Sequence, residues 1–194
     1  MSEILSMKSL HAAVKNGSVD TVIAAFPDMQ GRLMGKRFHA QFFVDHAWEE
    51  THCCNYLIAT DLEMATVDGY ESTSWSAGYG DYIMRPDLDT LCVLPWLEGT
   101  ALVLCDLLDH HTHELVPHAP RTILKQQLKR AADSGLTMMA ATELEFFVFR
   151  ENFETIRGAE YHAMTPISAY NEDYHFFQTT KEESLMRHIR NGLY

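Results

Sequence analysis

Glu143 and Glu145 stand two positions apart in the run Leu-Thr-Met-Met-Ala-Ala-Thr-Glu-Leu-Glu-Phe-Phe-Val-Phe, residues 136 to 149. The run is apolar and aromatic, with Gly135 before it and Arg150-Glu151 after it, a pattern that predicts a largely buried strand. Alternate side chains of a strand share a face, so Met139, Ala141, Glu143, Glu145 and Phe147 fall on one side, the two carboxylates roughly 6.6 Å apart along the backbone. Two anions in an apolar row repel each other and lose hydration. Each must then be protonated, paired or bound to a metal. Oxygen ligands suit hard divalent cations, which makes Mg²⁺ or Mn²⁺ the expected partner. The competing reading is a pair of solvated glutamates on the wet side of an antiparallel strand. The poor polar alternation on both faces speaks against it.

Other residues of chemical interest are less specific. His110-His111-Thr112-His113-Glu114 could be read as a metal cluster, but consecutive histidines in a polar connector read more readily as solvated. The cysteines, Cys53, Cys54, Cys92 and Cys105, contain no Cys-x-x-Cys spacing and read as reduced thiols packed as small apolar groups.

The chain that must position these groups has 194 residues, 46% of them hydrophobic and 22% charged, an ordinary composition for a soluble globular protein. A formal net charge of −12 disfavours nucleic acid and anionic membrane as partners, since both call for a basic surface. The N-terminal Met-Ser-Glu-Ile-Leu-Ser-Met-Lys holds no sustained apolar run. No signal peptide and no membrane span are therefore expected, and the cytoplasm is the expected location.

Residues 3 to 15 suit a short amphipathic helix ending at Asn16-Gly17. Val19 to Phe26 and Arg32 to Phe38 read as strands around the turn Pro27-Asp28-Met29-Gln30-Gly31. Residues 40 to 50 read as helical, and 54 to 60 as a third strand. Gly69, Gly78, Gly80 and Pro86 mark a long loop from Asp61 to Asp89, of the kind that is usually functional. Strands at 91 to 96 and 100 to 107 follow. Pro120 opens a helix with Leu124, Leu128, Ala131 and Ala132 on one face, stopped by Gly135. Residues 182 to 191 read as a last helix. So apolar a strand as 136 to 149 needs neighbours on both sides, and the sequence offers few, which gives the chain the look of an incomplete domain.

These residues carry a resemblance. Thr142-Glu143-Leu144-Glu145-Phe146-Phe147-Val148-Phe149 resembles the Glu-x-Glu-Phe-Phe strand of glutamine synthetases. Gly80-Asp81-Tyr82-Ile83-Met84-Arg85-Pro86-Asp87, Pro95-Trp96, Cys105-Asp106 and Pro120-Arg121-Thr122-Ile123-Leu124 follow that family's order and spacing from Val19 onward. Thr66-Val67-Asp68-Gly69-Tyr70, Thr165-Pro166 and Tyr170-Asn171 look closer to branches that act on amines such as polyamines.

The resemblance implies an α+β fold: a β-grasp N-terminal domain over residues 1–113, then the start of a catalytic domain over 114–194. It implies an ATP-dependent ligase joining ammonia or an amine to the γ-carboxylate of glutamate through γ-glutamyl phosphate, with Mg²⁺ or Mn²⁺ handling the phosphates. It further implies a homo-oligomer whose active sites lie between neighbouring subunits. By motif, Glu143 and Glu145 match metal-binding glutamates. Asp81 matches the aspartate of the loop that reaches the neighbour's site, and Asp68 the ammonium-handling aspartate. The family's Asp-Gly-Ser-Ser is here Asp68-Gly69-Tyr70-Glu71, a change that admits a larger amine. Without the resemblance, Asp68 is a turn aspartate before glycine and Asp81 an aspartate at the start of a strand. The family's later metal, nucleotide and glutamate ligands have no counterpart in these residues, so the polypeptide alone is expected to lack ligase activity. The alternatives are a non-catalytic relative serving as an assembly or regulatory module, and a stand-alone metal-binding domain.

Overall fold

Val22, Ala24 and Phe26 are buried in Thr21–Pro27, the strand β1, and seed the core. The computed structural model describes residues 4–76, 78–168 and 170–193. Its elements form a mixed sheet with helices, an α+β arrangement, and the chain divides into two compact units, Met1–Met138 and Met139–Tyr194.

The first unit holds a sheet of five strands ordered β2-β1-β5-β4-β3, with β2 at Leu33–His39, β3 at Thr51–Cys54, β4 at Asp81–Val93 and β5 at Thr100–Asp109. β1 runs antiparallel to β2 and parallel to β5, while β4 runs antiparallel to both β5 and β3. Helix α1, Met7–Lys15, starts at Ser6, whose hydroxyl accepts the Ser9 N–H at 3.0 Å, the usual way to satisfy a free helix donor. Leu10 of α1 joins Phe26, Phe43, Met84, Leu91 and Val103 in one apolar core. Beyond β2 the chain makes a short helix α2, Ala40–Phe42, which widens into a π-helical turn over Phe43–Ala47. Helix α3, Pro120–Asp133, has Pro in its first turn and ends before Gly135, which takes φ +76°.

The strand expected over 91–96 is the end of β4, which stops at Val93, and two other boundaries differ more from the sequence expectation. The strand expected over 54–60 ends at Cys54, and Asn55–Ile58 forms a 3-10 turn. The loop expected to last until Asp89 ends at Asp81, where β4 begins. Pro86 obscured this strand. It is tolerated because β3 pairs only with Asp81 to Met84, so β4 has a single neighbour there and a missing N–H is cheap. The register of β4 on β5 then shifts between Asp87 and Cys92.

Gly35 pairs with Ala25 in the β1–β2 ladder at φ +153°, and a Cβ built on it would lie 2.0 Å from the Ala24 carbonyl oxygen. The obstacle is backbone and cannot swing aside. Gly35→Ala is expected to cost about 3 kcal/mol through overpacking, read as a lower urea midpoint at unchanged slope.

The second unit holds α4 (Phe153–Gly158), α5 (Phe176–Thr179) and α6 (Glu183–Leu193). Asn152 caps α4 by accepting the Thr155 N–H at 2.9 Å. The strand expected over 136–149 is not formed. Among the described residues only its end is paired, through a bridge of Phe149 to Pro166 and the hydrogen bond Ile167 N to Val148 O at 3.0 Å. A strand needs a partner for its alternating donors and acceptors, and no other segment among the described residues supplies one. The expected burial is absent too: Leu144 is 83% and Phe147 85% exposed.

Candidate functional site

The loop between Asn55 and β4 opens with a closed hairpin. Thr60 and Thr66 pair antiparallel, Asp61 N donates to Ala65 O, and Val67 N donates to Ala59 O, both at 2.9 Å. The Asp61 Oδ1 accepts the N–H groups of Glu63 and Ala65 at 2.9 Å each, so this aspartate is spent on the turn. Asp68 follows Val67 directly, in a turn with Gly69 at φ +98°. The residue is solvent-exposed.

Buried Asn55 gathers the far half of the loop. Its Nδ2 donates to Ser72 O at 2.9 Å, its Oδ1 accepts from Thr73 Oγ1 at 3.1 Å, and its backbone N–H donates to Gly80 O at 2.9 Å. This returns the chain to Asp81, exposed at the first position of β4 opposite Cys54. Asp68 and Asp81 thus occupy opposite ends of one anchored loop. Between them Tyr79 packs edge-on against Trp75 at 5.2 Å and Tyr56 at 5.6 Å between ring centroids. Sequence reasoning missed Asn55; the signal available was a polar amide within an apparent apolar strand.

Glu143 and Glu145 lie in the unpaired stretch of the second unit, both exposed. Both residues stand open to solvent, so burial gives no reason here for a cation between them. A divalent ion takes about six oxygen ligands. Among the described residues no group of three or more His, Cys, Asp or Glu is placed to hold one. These residues do not by themselves make a metal site.

Charged groups converge instead beneath α3. The Arg121 guanidinium donates through Nε to Asp106 Oδ1 at 2.9 Å and through Nη2 to Asp87 Oδ2. Lys125 Nζ donates to Asp106 Oδ2 at 2.7 Å and to Asp87 Oδ2 at 3.2 Å. Burial disfavours ionisation of Asp87, but the hydrogen bond and charge of Lys125 and the charge of Arg121 outweigh it and hold its pKa below the ordinary carboxylate value. The motif residues Asp106 and Arg121 thus have an architectural use: they lock α3 onto β4 and β5.

The cysteines and the histidine run stand apart from these groups. Burial pushes the thiols of Cys53 and Cys105 to about 12, so both stay protonated in the core, whereas Cys54 is exposed. His110, His111 and His113 are exposed in the turn after β5, where Asp109 accepts the N–H groups of His111 and Thr112. Among the described residues no helix is long and apolar enough to cross a membrane.

Residues 117–194 match the family model of the glutamine synthetase catalytic domain. The γ-glutamylethanolamide synthetase of Streptomyces coelicolor is 50% identical over 190 residues, covering 97% of this chain and 41% of that protein. The glutamate–isopropylamine ligase of a Pseudomonas species is 30% identical over 178 residues, covering 91% of this chain and 39% of that protein. A crystal structure of a glutamine synthase homolog superposes with a TM-score of 0.50 at 16% identity, covering 60% of this chain and 27% of the other, a likeness of fold alone. The chain thus spans about two fifths of the length of these curated relatives.

Proposed function

We infer that the chain belongs to the glutamine synthetase family and propose that the whole protein is an ATP-dependent ligase that joins an amine to the γ-carboxylate of glutamate. In the reaction the glutamate carboxylate oxygen attacks the γ-phosphorus of ATP and ADP leaves. The amine nitrogen then attacks the acyl carbon, phosphate leaves, and the nitrogen gives up a proton. The observation that carries this reading is the 50% identity running along nearly the whole chain to a synthetase whose name specifies a glutamyl amide.

The roles of individual residues follow from the motifs. Glu143 and Glu145 are two of the ligands of Mg²⁺ or Mn²⁺, the remaining ligands lying elsewhere in the whole protein. Asp68 faces the incoming amine, and Asp81 anchors the same loop at the site of a neighbouring subunit in a homo-oligomer. Placing tyrosine and glutamate after Gly69, where the family carries small hydroxyl residues, favours an organic amine over ammonia. Ethanolamine, isopropylamine and polyamines are the acceptors to compare. A β-grasp reading of residues 1–113 is supported by a sheet in which β1 and β5 run parallel between antiparallel neighbours. A functional division near residue 114 is supported by a family match that starts at residue 117. The cytoplasm remains the proposed location.

The test is ADP release by the whole protein with glutamate and each amine in turn. Turnover that requires both substrates is expected, with an organic amine preferred to ammonia. Turnover with ammonia alone would remove the amine-ligase reading, and no turnover at all would favour an assembly module. The 194-residue polypeptide by itself is expected to release no ADP above background.

A further inference from the structure

The turn between β1 and β2 reaches across to the hairpin that precedes Asp68. Asp28 has a fully buried carboxylate. Its Oδ1 accepts the N–H groups of Gln30 at 2.9 Å and Arg32 at 2.8 Å, and its Oδ2 accepts Arg32 Nε at 2.6 Å. Burial opposes ionisation of Asp28, yet the hydrogen bonds from Arg32 and Gln30 hold its pKa below the ordinary carboxylate value. The anion therefore orients the guanidinium, whose other edge faces the hairpin. Arg32 Nη1 donates to Leu62 O at 2.9 Å, and Nη2 donates to Asp61 O at 3.0 Å and Thr60 Oγ1 at 3.4 Å. Gln30 adds a bond from Nε2 to Thr60 O at 2.9 Å.

A planar fork with fixed donors suits this task, and a lysine could not reproduce it. The carbonyls that Arg32 grips belong to the hairpin tip, and the hairpin ends at Val67, one residue before Asp68. We propose that Asp28 and Arg32 form a strut that sets the position of Asp68, making Arg32 a positioning residue for the amine. Arg32 touches no reacting atom and acts through the hairpin alone. The strut itself rests on geometry, while its effect on the amine rests on the ligase reading above.

The experiment pairs Arg32→Gln and Arg32→Lys and has two arms. In hydrogen exchange on the chain, both variants are expected to lose about tenfold of the protection of the Ala65 and Val67 amides, an opening confined to that local unit. The β1–β5 amides should be unchanged, and added guanidinium should restore protection in Arg32→Gln. In steady-state kinetics of the whole protein with ethanolamine, KM for the amine should rise about tenfold while kcat and KM for ATP hold, the pattern of lost uniform binding. Unchanged exchange at Ala65 and Val67 would overturn the strut. A lower melting temperature with an unchanged amine KM would reduce Arg32 to a purely structural residue and overturn the positioning role. If the whole protein shows no turnover, the ligase reading fails while the exchange arm still decides the strut.

Discussion

Replacing Glu143 and Glu145 together by alanine is expected to weaken Mn²⁺ binding by the whole protein about 100-fold or more. Even partners that only orient metal ligands are worth 10- to 100-fold, and direct ligands should be worth at least that. Turnover should fall by as much or more, because cations that neutralise charge on a moving phosphoryl group act mainly in the transition state. Calorimetric titration separates this from loss of fold, since both side chains are exposed and their removal leaves no cavity. Unchanged Mn²⁺ affinity in the double variant would take both residues out of any metal role.

Asp106→Ala should produce a large stability loss. It strands Arg121 and Lys125 against β4 and β5 with only Asp87 to answer them. Breaking a buried ion network by removing one partner costs 3–5 kcal/mol. Lys125 is 39% exposed, and screening there moves the expected cost to the lower end, about 3 kcal/mol. For a chain of this size that is a melting temperature roughly 10 °C lower. The pH response has a definite sign. Asp87 has a folded pKa below its unfolded value, so its contribution is fully present above the ordinary carboxylate pKa of about 4 and is lost as pH falls through the folded value. Asp87→Asn should therefore flatten the acid side of the stability profile and leave its slope at neutral pH alone.

What could be read in advance divides along the range of the forces involved. β1, β2, β5 and α3 were legible because each announces itself locally, through an apolar run, a turn of Pro and Gly, or proline at a helix start. The first part of β4 was hidden because Pro86 looks like a break until β3 is seen to stop short of it. The apolar run 136–149 was misjudged because composition states what a segment would bury, while its backbone donors need a partner that composition does not name. Asp68 and Asp81 were picked out by motif alone. The anchors that hold their loop, Asn55 and Arg32, make contacts 17 to 30 residues away in sequence, beyond the reach of any short pattern.

Helix α3 is fastened to the sheet by ions, while Leu124, Leu128 and Met138 line a shallow outer depression of about 610 Å³ beside Arg130 and Asp133. The two sides of this one cylinder answer to opposite solvents. Added sulfate shortens the reach of the ions on the inner side and raises the penalty water exacts on the outer leucines. Salt therefore works against this helix on both sides, and low ionic strength is where it should be held most firmly and adhere least.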